Sequence, residues 1–122
     1  MTSIPIDLAT ISIAQAQDGK YCYSVTSLIQ QVEEQKLESF DYPVAAFNMR
    51  SFPWNDITTY RDFLSHCKRV RDTDLSYPLI LHCDGWIMDG AHRMCKAILE
   101  GKETIKAVRF IKEPKYTSIE EE

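Results

Sequence analysis

The spacing of apolar residues divides the chain into short elements of alternating type. "DLATISIAQ", then "DGK", then "YCYSV" reads as strand, turn and strand. From Ser24, a residue suited to N-capping, Val25, Leu28, Ile29 and Val32 recur at helical spacing, which predicts a helix ending near Lys36. "YPVAAFNM" is a short apolar run with Pro43 near its start, read as a buried strand, and "SFPWN" after it is a loop. Asn55 or Asp56 then caps a second helix, in which Tyr60, Phe63, Leu64, Cys67 and Val70 form one apolar stripe. On that pattern His66 lies on the flank of the helix; "HCKRVRD" could add cations to an anion site, but a solvated face is the commoner outcome, above all for Arg69 and Arg71, which point away from the stripe.

The pattern is densest further on. "PLILHC" and "WIMD" flank Asp84-Gly85, a dipeptide that supplies the positive-φ residues of a tight hairpin. Asp89-Gly90 ends the second strand of that hairpin. "AHRMCKAILE" then starts a helix whose Ala91, Met94, Cys95, Ile98 and Leu99 pack inward, with Gly101 as its stop. "IKAVRFI" follows as a last strand with alternating apolar positions. Residues 84–101 thus hold three of the chain's four glycines beside His92, Arg93 and Lys96.

Composition narrows what this concentration can mean. With 122 residues the chain is about one domain long and can bury roughly two thirds of its unfolded surface. Its net charge of −4 supplies no overall positive field for DNA or an anionic membrane, so any anion must be met locally. The longest apolar runs fall far short of the ~20 residues of a spanning helix, and the N-terminus lacks a basic start followed by an apolar block. Cys22, Cys67, Cys83 and Cys95 contain no C-x-x-C pair and read as reduced, mostly packed thiols of a cytoplasmic protein.

A glycine followed by a helix start is where such an anion could be met. The early amides of a helix have no backbone partner and carry the positive end of its dipole. There Gly90 and Ala91 would let a phosphate approach, Arg93 would offer a planar fork, and His92 could donate a hydrogen bond or move a proton. The plainer reading is that Asp89 caps the helix and the cations are solvated, yet cations in a first turn oppose the dipole and need a reason. His82, Cys83, His92 and Cys95 include metal-ligand residue types. His82 and Cys83 should project to opposite faces of a strand, which argues against a zinc site. Asp72, Asp74 and Ser76 could hold Mg²⁺ or substrate, although loop capping is the commoner role of such residues. Trp54 reads as a core edge rather than a nucleobase platform.

The run "PLILHCDGWIMDGAHRMCKAILEGKETIKAVRF" resembles the core of the ParB/sulfiredoxin-like superfamily, whose strand, glycine turn and helix carry a G-x-[HR]-R signature. The order "YPLIL", "DG", "MDGAHR", "KA", "EG", "I" and "VRF" is similar to small bacterial ParB-like domains, over roughly residues 40–111. The resemblance implies a helix that binds nucleotide phosphates after its glycine turn. Sulfiredoxin has a reactive cysteine directly before the His-Arg pair, where this chain has Ala91, so thiol-based phosphorylation at that position is excluded. Partition ParB proteins carry a Glu-Arg-Arg version and continue into a helix-turn-helix domain, whereas this sequence ends soon after "VRFIKEP". The superfamily's ADP-dependent free-serine kinase, with its Asp-Gly-x-His-Arg motif, is the better likeness.

These observations predict a small α+β domain with a mixed sheet and packed helices, ParB/sulfiredoxin-like in type. Residues 1–39 would form an extension with one helix packed on the core, 40–113 the core, and 114–122 an acidic tail. The expected function is nucleotide binding, of ATP, ADP or CTP with or without Mg²⁺, in a small-molecule phosphotransferase or nucleotide hydrolase. Asp89 would orient His92 or serve as base, and His92 would relay a proton. Arg93 would neutralise charge, and Gly90, Ala91, Lys96 and Ser76 would complete the ligand contacts. The competing expectation is a non-catalytic module acting with a protein or nucleic-acid partner. A nuclease ranks below both, because no two-metal carboxylate cluster is evident.

Overall fold

The sheet that organises the protein is built from four short strands. The structure is a computed structural model that describes the backbone of residues 15–18 together with residues 21–50 and 54–119. In chain order it contains β1 (Gln15–Asp18), β2 (Tyr21–Ser24), α1 (Val25–Glu34), β3 (Phe40–Pro43), a 3₁₀ turn (Val44–Ala46) and α2 (Tyr60–Asp72). Then follow β4 (Leu79–Leu81), β5 (Ile87–Asp89), α3 (Ala91–Leu99), β6 (Thr104–Arg109) and β7 (Ser118–Ile119). One open sheet has the order β3-β6-β4-β5 and a second β1-β2-β7. The larger sheet is mixed: β6 runs parallel to β4 and antiparallel to β3, while β4 and β5 form a hairpin. The result is a small mixed α+β fold with three helices and two open sheets.

Period-two alternation along β4 and β6 gives the larger sheet two apolar faces. Ile80 and Val108, with Met88 and Phe110, pack against Tyr23 of β2 and Leu28 of α1. Leu79, Leu81, Ile105 and Ala107 pack on the other side against Met94 and Ala97 of α3. α3 enters from Gly90 at φ 110° and stops at Gly101. There the amides of Gly101 and Lys102 return to the carbonyls of Ile98 and Ala97, closing the carbonyls that a helix end leaves open. Ala97, not Leu99, completes the inward face; Leu99 is exposed because it falls a turn past Met94 on the solvent side.

Several expected elements are displaced. The strand expected in "YPVAAFNM" lies earlier, at Phe40–Pro43, and Val44–Ala46 turn into the 3₁₀ segment once Val44 NH has bonded Glu103 O. The first strand lies at Gln15–Asp18; residues 7–14 of the expected strand and residues 51–53 of the "SFPWN" loop fall outside the described residues. α1 starts as expected, with the Ser24 hydroxyl accepting from Ser27 NH at 3.1 Å. α2 starts later than Asn55 or Asp56: Thr59 is its cap, and a reciprocal box with Asp62 closes its first turn. The helix is also rotated from its apolar stripe. His66 and Val70 are its buried residues, while Tyr60 (88% exposed), Phe63 and Leu64 face outward. Residues 114–119 are not a free tail. Buried Gln31 donates to Lys115 O and accepts from its NH, Thr117 bonds Cys22 O and Ser24 NH, and β7 pairs with β2. Among the described residues no helix is long and apolar enough to cross a membrane.

Candidate functional site

Gly90 enters α3 with no side chain capping its first-turn amides, and it is needed for a contact of its own. The cap residue supplies no side-chain hydrogen bond to the first-turn amides. A Cβ at Gly90 would lie 2.6 Å from Leu79 Cδ2 and 2.9 Å from Arg93 Nη2. Glycine therefore meets a left-handed φ and lets Leu79 and Arg93 close over the backbone, so the space just above it is filled by protein.

The charged residues of the motif are arranged otherwise than expected. Asp89 does not orient His92; its carboxylate accepts from Arg93 Nη2 at 2.9 Å, an i,i+4 ion pair. The same Nη2 donates to Pro78 O at 3.1 Å, so Arg93 is a half-committed clamp rather than a free fork. Its Nε is buried with no acceptor among the described residues, and so is Nε of Arg69. Arg69 is not on a solvated face: its charge acts on His92. Arg71 is exposed and paired with Asp72 at 2.8 Å. Lys96 donates to Thr73 O at 2.7 Å and lines an open cleft of about 470 Å³ with Asp72, Thr73, Asp74, Leu75 and Glu100. Ser76 gives both its hydroxyl and its NH to Asp74, the loop-capping turn that such residues commonly make.

What does meet His92 comes from α2 and the loop before it. His66 Nδ1 lies 2.9 Å from His92 Nε2, and His66 Nε2 lies 3.1 Å from Asp56 Oδ1. A carboxylate only accepts, so His66 carries its hydrogen on Nε2, its Nδ1 accepts, and His92 donates from Nε2. That order leaves the lone pair on His92 Nδ1. Trp54 stacks over both imidazoles, with ring centroids 4.3 Å from His66 and 4.6 Å from His92. Burial beneath this ring, together with the charges of Arg69, His66 and Arg93, pushes His92 down to about 4, which Asp56 only partly opposes. A neutral first-turn histidine does not oppose the helix dipole, and Arg93 is offset by Asp89. The cationic first turn is thus largely discharged.

Chemically, the line Asp56–His66–His92 can take a proton at His92 Nδ1 and spread the new charge back to a carboxylate. The sequence pointed to His92 and offered the segment of His66 and Arg69 as added cations while ranking a solvated face above it; it gave Asp56 only as a cap and Trp54 as a core edge. Only His66 had a legible signal, its i,i+4 spacing with Val70, which marks an alternative inward stripe. No family model, no curated protein and no solved structure matches the chain.

Proposed function

We propose that the chain is a nucleotide-binding domain of ParB/sulfiredoxin type, in which a phosphate sits at the start of α3 and His92 accepts a proton from an attacking hydroxyl or water. The observation that carries this reading is the pair of buried guanidinium nitrogens, Arg69 Nε and Arg93 Nε, which lack an acceptor among the described residues. A buried donor left unpaired costs roughly 1–3 kcal/mol, and a phosphate oxygen would satisfy it with a charge-assisted bond. The uncapped amides of α3 add the favourable end of a helix dipole. A neutral His92 with an open Nδ1 is a proton acceptor at physiological pH, and Asp56 and His66 take the role first expected of Asp89. The donor would be ATP, ADP or CTP, with Mg²⁺ bound to its phosphates, and the compartment the cytoplasm, where the four free thiols stay reduced.

A second reading, a non-catalytic module for a protein partner, is favoured by the outward stripe of Tyr60, Phe63 and Leu64 on α2. A thermal-shift series with nucleoside mono-, di- and triphosphates, with and without Mg²⁺, separates the outcomes. A ligand at a hundredfold its Kd raises stability by roughly 2.7 kcal/mol. Such a shift that shrinks in Arg69→Gln supports the phosphate site; binding without turnover leaves the module, and no shift with any nucleotide or inorganic phosphate removes the proposal.

A further inference from the structure

At the opposite end of β5 from Gly90, the hairpin turn gathers a second set of reactive side chains. β4 ends at Leu81, so His82 and Cys83 lie in the turn and the alternation of a strand does not separate them. The turn is a three-residue loop closed by His82 NH to Trp86 O at 2.9 Å, with Gly85 alone at positive φ, not the two-residue turn expected of Asp84-Gly85. It turns Cys83 Sγ to 3.6 Å from His82 Nδ1 and Asp84 Oδ2 to 3.6 Å from the same nitrogen. The three donor atoms lie within 4.8 Å of one another.

We propose that His82 Nδ1, Cys83 Sγ and Asp84 Oδ2 form a three-ligand site for one Zn²⁺-class cation, with the fourth position open to solvent. With Zn–N of about 2.0–2.1 Å and Zn–S of about 2.3 Å, a tetrahedral ion places its nitrogen and sulfur about 3.5 Å apart, close to the observed 3.6 Å. A nitrogen, a thiolate and one carboxylate suit a borderline metal and do not suit Mg²⁺ or Ca²⁺, which require oxygen ligands.

A second, independent feature is the support behind the imidazole. His82 is 1% exposed, and its Nε2–H donates to Glu113 Oε2 at 2.6 Å. The other oxygen of Glu113 accepts from Tyr23 OH at 2.8 Å. A carboxylate on the far nitrogen is how metal-binding histidines are oriented, since it fixes the hydrogen on Nε2 and turns the Nδ1 lone pair outward. In the free protein that lone pair accepts from Asp84 NH at 3.0 Å, a bond exchanged on binding for the metal. Coordination also breaks the Cys83 S–H bond: the thiolate keeps the electron pair for the metal and the proton leaves to buffer.

The experiment titrates the reduced, full chain with Co²⁺ alone, then displaces it with Zn²⁺. The expected result is one equivalent bound, with a thiolate charge-transfer band and the intense visible bands of a four-coordinate ion. Cys83→Ser abolishes the charge-transfer band, Asp84→Asn weakens binding, and Glu113→Gln weakens it roughly ten- to hundredfold. Cys67→Ser, an exposed thiol elsewhere, changes nothing. Absence of the band in the wild-type chain, or its survival in Cys83→Ser, overturns the proposal. Cys83 lies at the edge of the core and Asp84 is exposed, so the isosteric Cys83→Ser and Asp84→Asn should keep the fold, which a melting curve beside each titration checks.

Discussion

Two histidines, at opposite ends of the same three-residue strand, are held by carboxylates in opposite ways. His82 meets Glu113 directly, is almost fully buried, and has both ring nitrogens engaged, one by a carboxylate and one by the Asp84 amide. His92 is only half-buried and reaches Asp56 through His66, so among the described residues its Nδ1 has no hydrogen-bond partner. Arginines lie near His92, whereas acids lie near His82: desolvation first, then the charges of Asp84 and Glu113, push the neighbouring Cys83 thiol up, and His82 and Tyr23 hold Glu113 down. The same side chain is thus held neutral beside cations at one end and hydrogen-bonded on both nitrogens beside acids at the other.

The glycines at the two ends give the largest test. Gly90→Ala adds a left-handed alanine and a clash with Leu79, and should cost about 2–4 kcal/mol. Gly85→Ala, at φ 100° with its nearest neighbour, Arg109, at 3.8 Å, should cost only about 1–2 kcal/mol. Urea unfolding of both variants compares them directly; equal losses would mean that the packing over Gly90 is not tight. Next comes the chemistry. Asp56→Asn leaves an exposed residue of similar shape, and should change stability by less than about 0.5 kcal/mol while lowering nucleotide turnover roughly a hundredfold or more. Glu113→Gln should leave turnover unchanged, as it touches only the His82 end. A turnover loss of similar size in both variants would merge the two regions into one site.

The smallest effect is on pH dependence. His92 lies at about 4 in the folded chain and near 6.5 when unfolded, so between those values the unfolded state binds more protons. Stability should therefore fall as pH drops from 6.5 towards 4, seen as a melting temperature lower by a few degrees, with no further loss from this group below 4. Glu113 contributes only lower down, since its depressed carboxyl loses its stabilisation as pH falls below the ordinary 4.5. In His92→Gln the slope above pH 4.5 should flatten; an unchanged slope would assign it to other groups.

Local patterning made much of the fold legible, because caps, turns and alternation act over a few residues. Ser24 caps α1, Gly101 stops α3, and Ile105, Ala107 and Val108 bury β6 as their spacing implies. α2 was misread in rotation because its apolar stripe is the outward one and its buried face carries a histidine, which hydrophobicity alone does not mark as inward. Thr59 displaced Asp56 as cap, and Asp56 was thereby free to bond His66. The rest is non-local: His66 meets His92 across 26 residues, and His82 meets Glu113 from the far end of β6. The Asp89–Arg93 pair has an i,i+4 spacing legible in a helix start; it turns Asp89 toward Arg93 and commits one nitrogen of the guanidinium.

The proposed function rests on a neutral His92 imidazole held by His66 and Asp56. An NMR titration of the ring carbons of His92, His66 and His82 between pH 3 and 9 tests it most directly. In the wild-type chain the His92 midpoint should lie at about 4, and in Asp56→Asn it should fall further, because the Asp56 carboxylate raises it. A wild-type midpoint near 6.5, unaffected by Asp56→Asn, would contradict it.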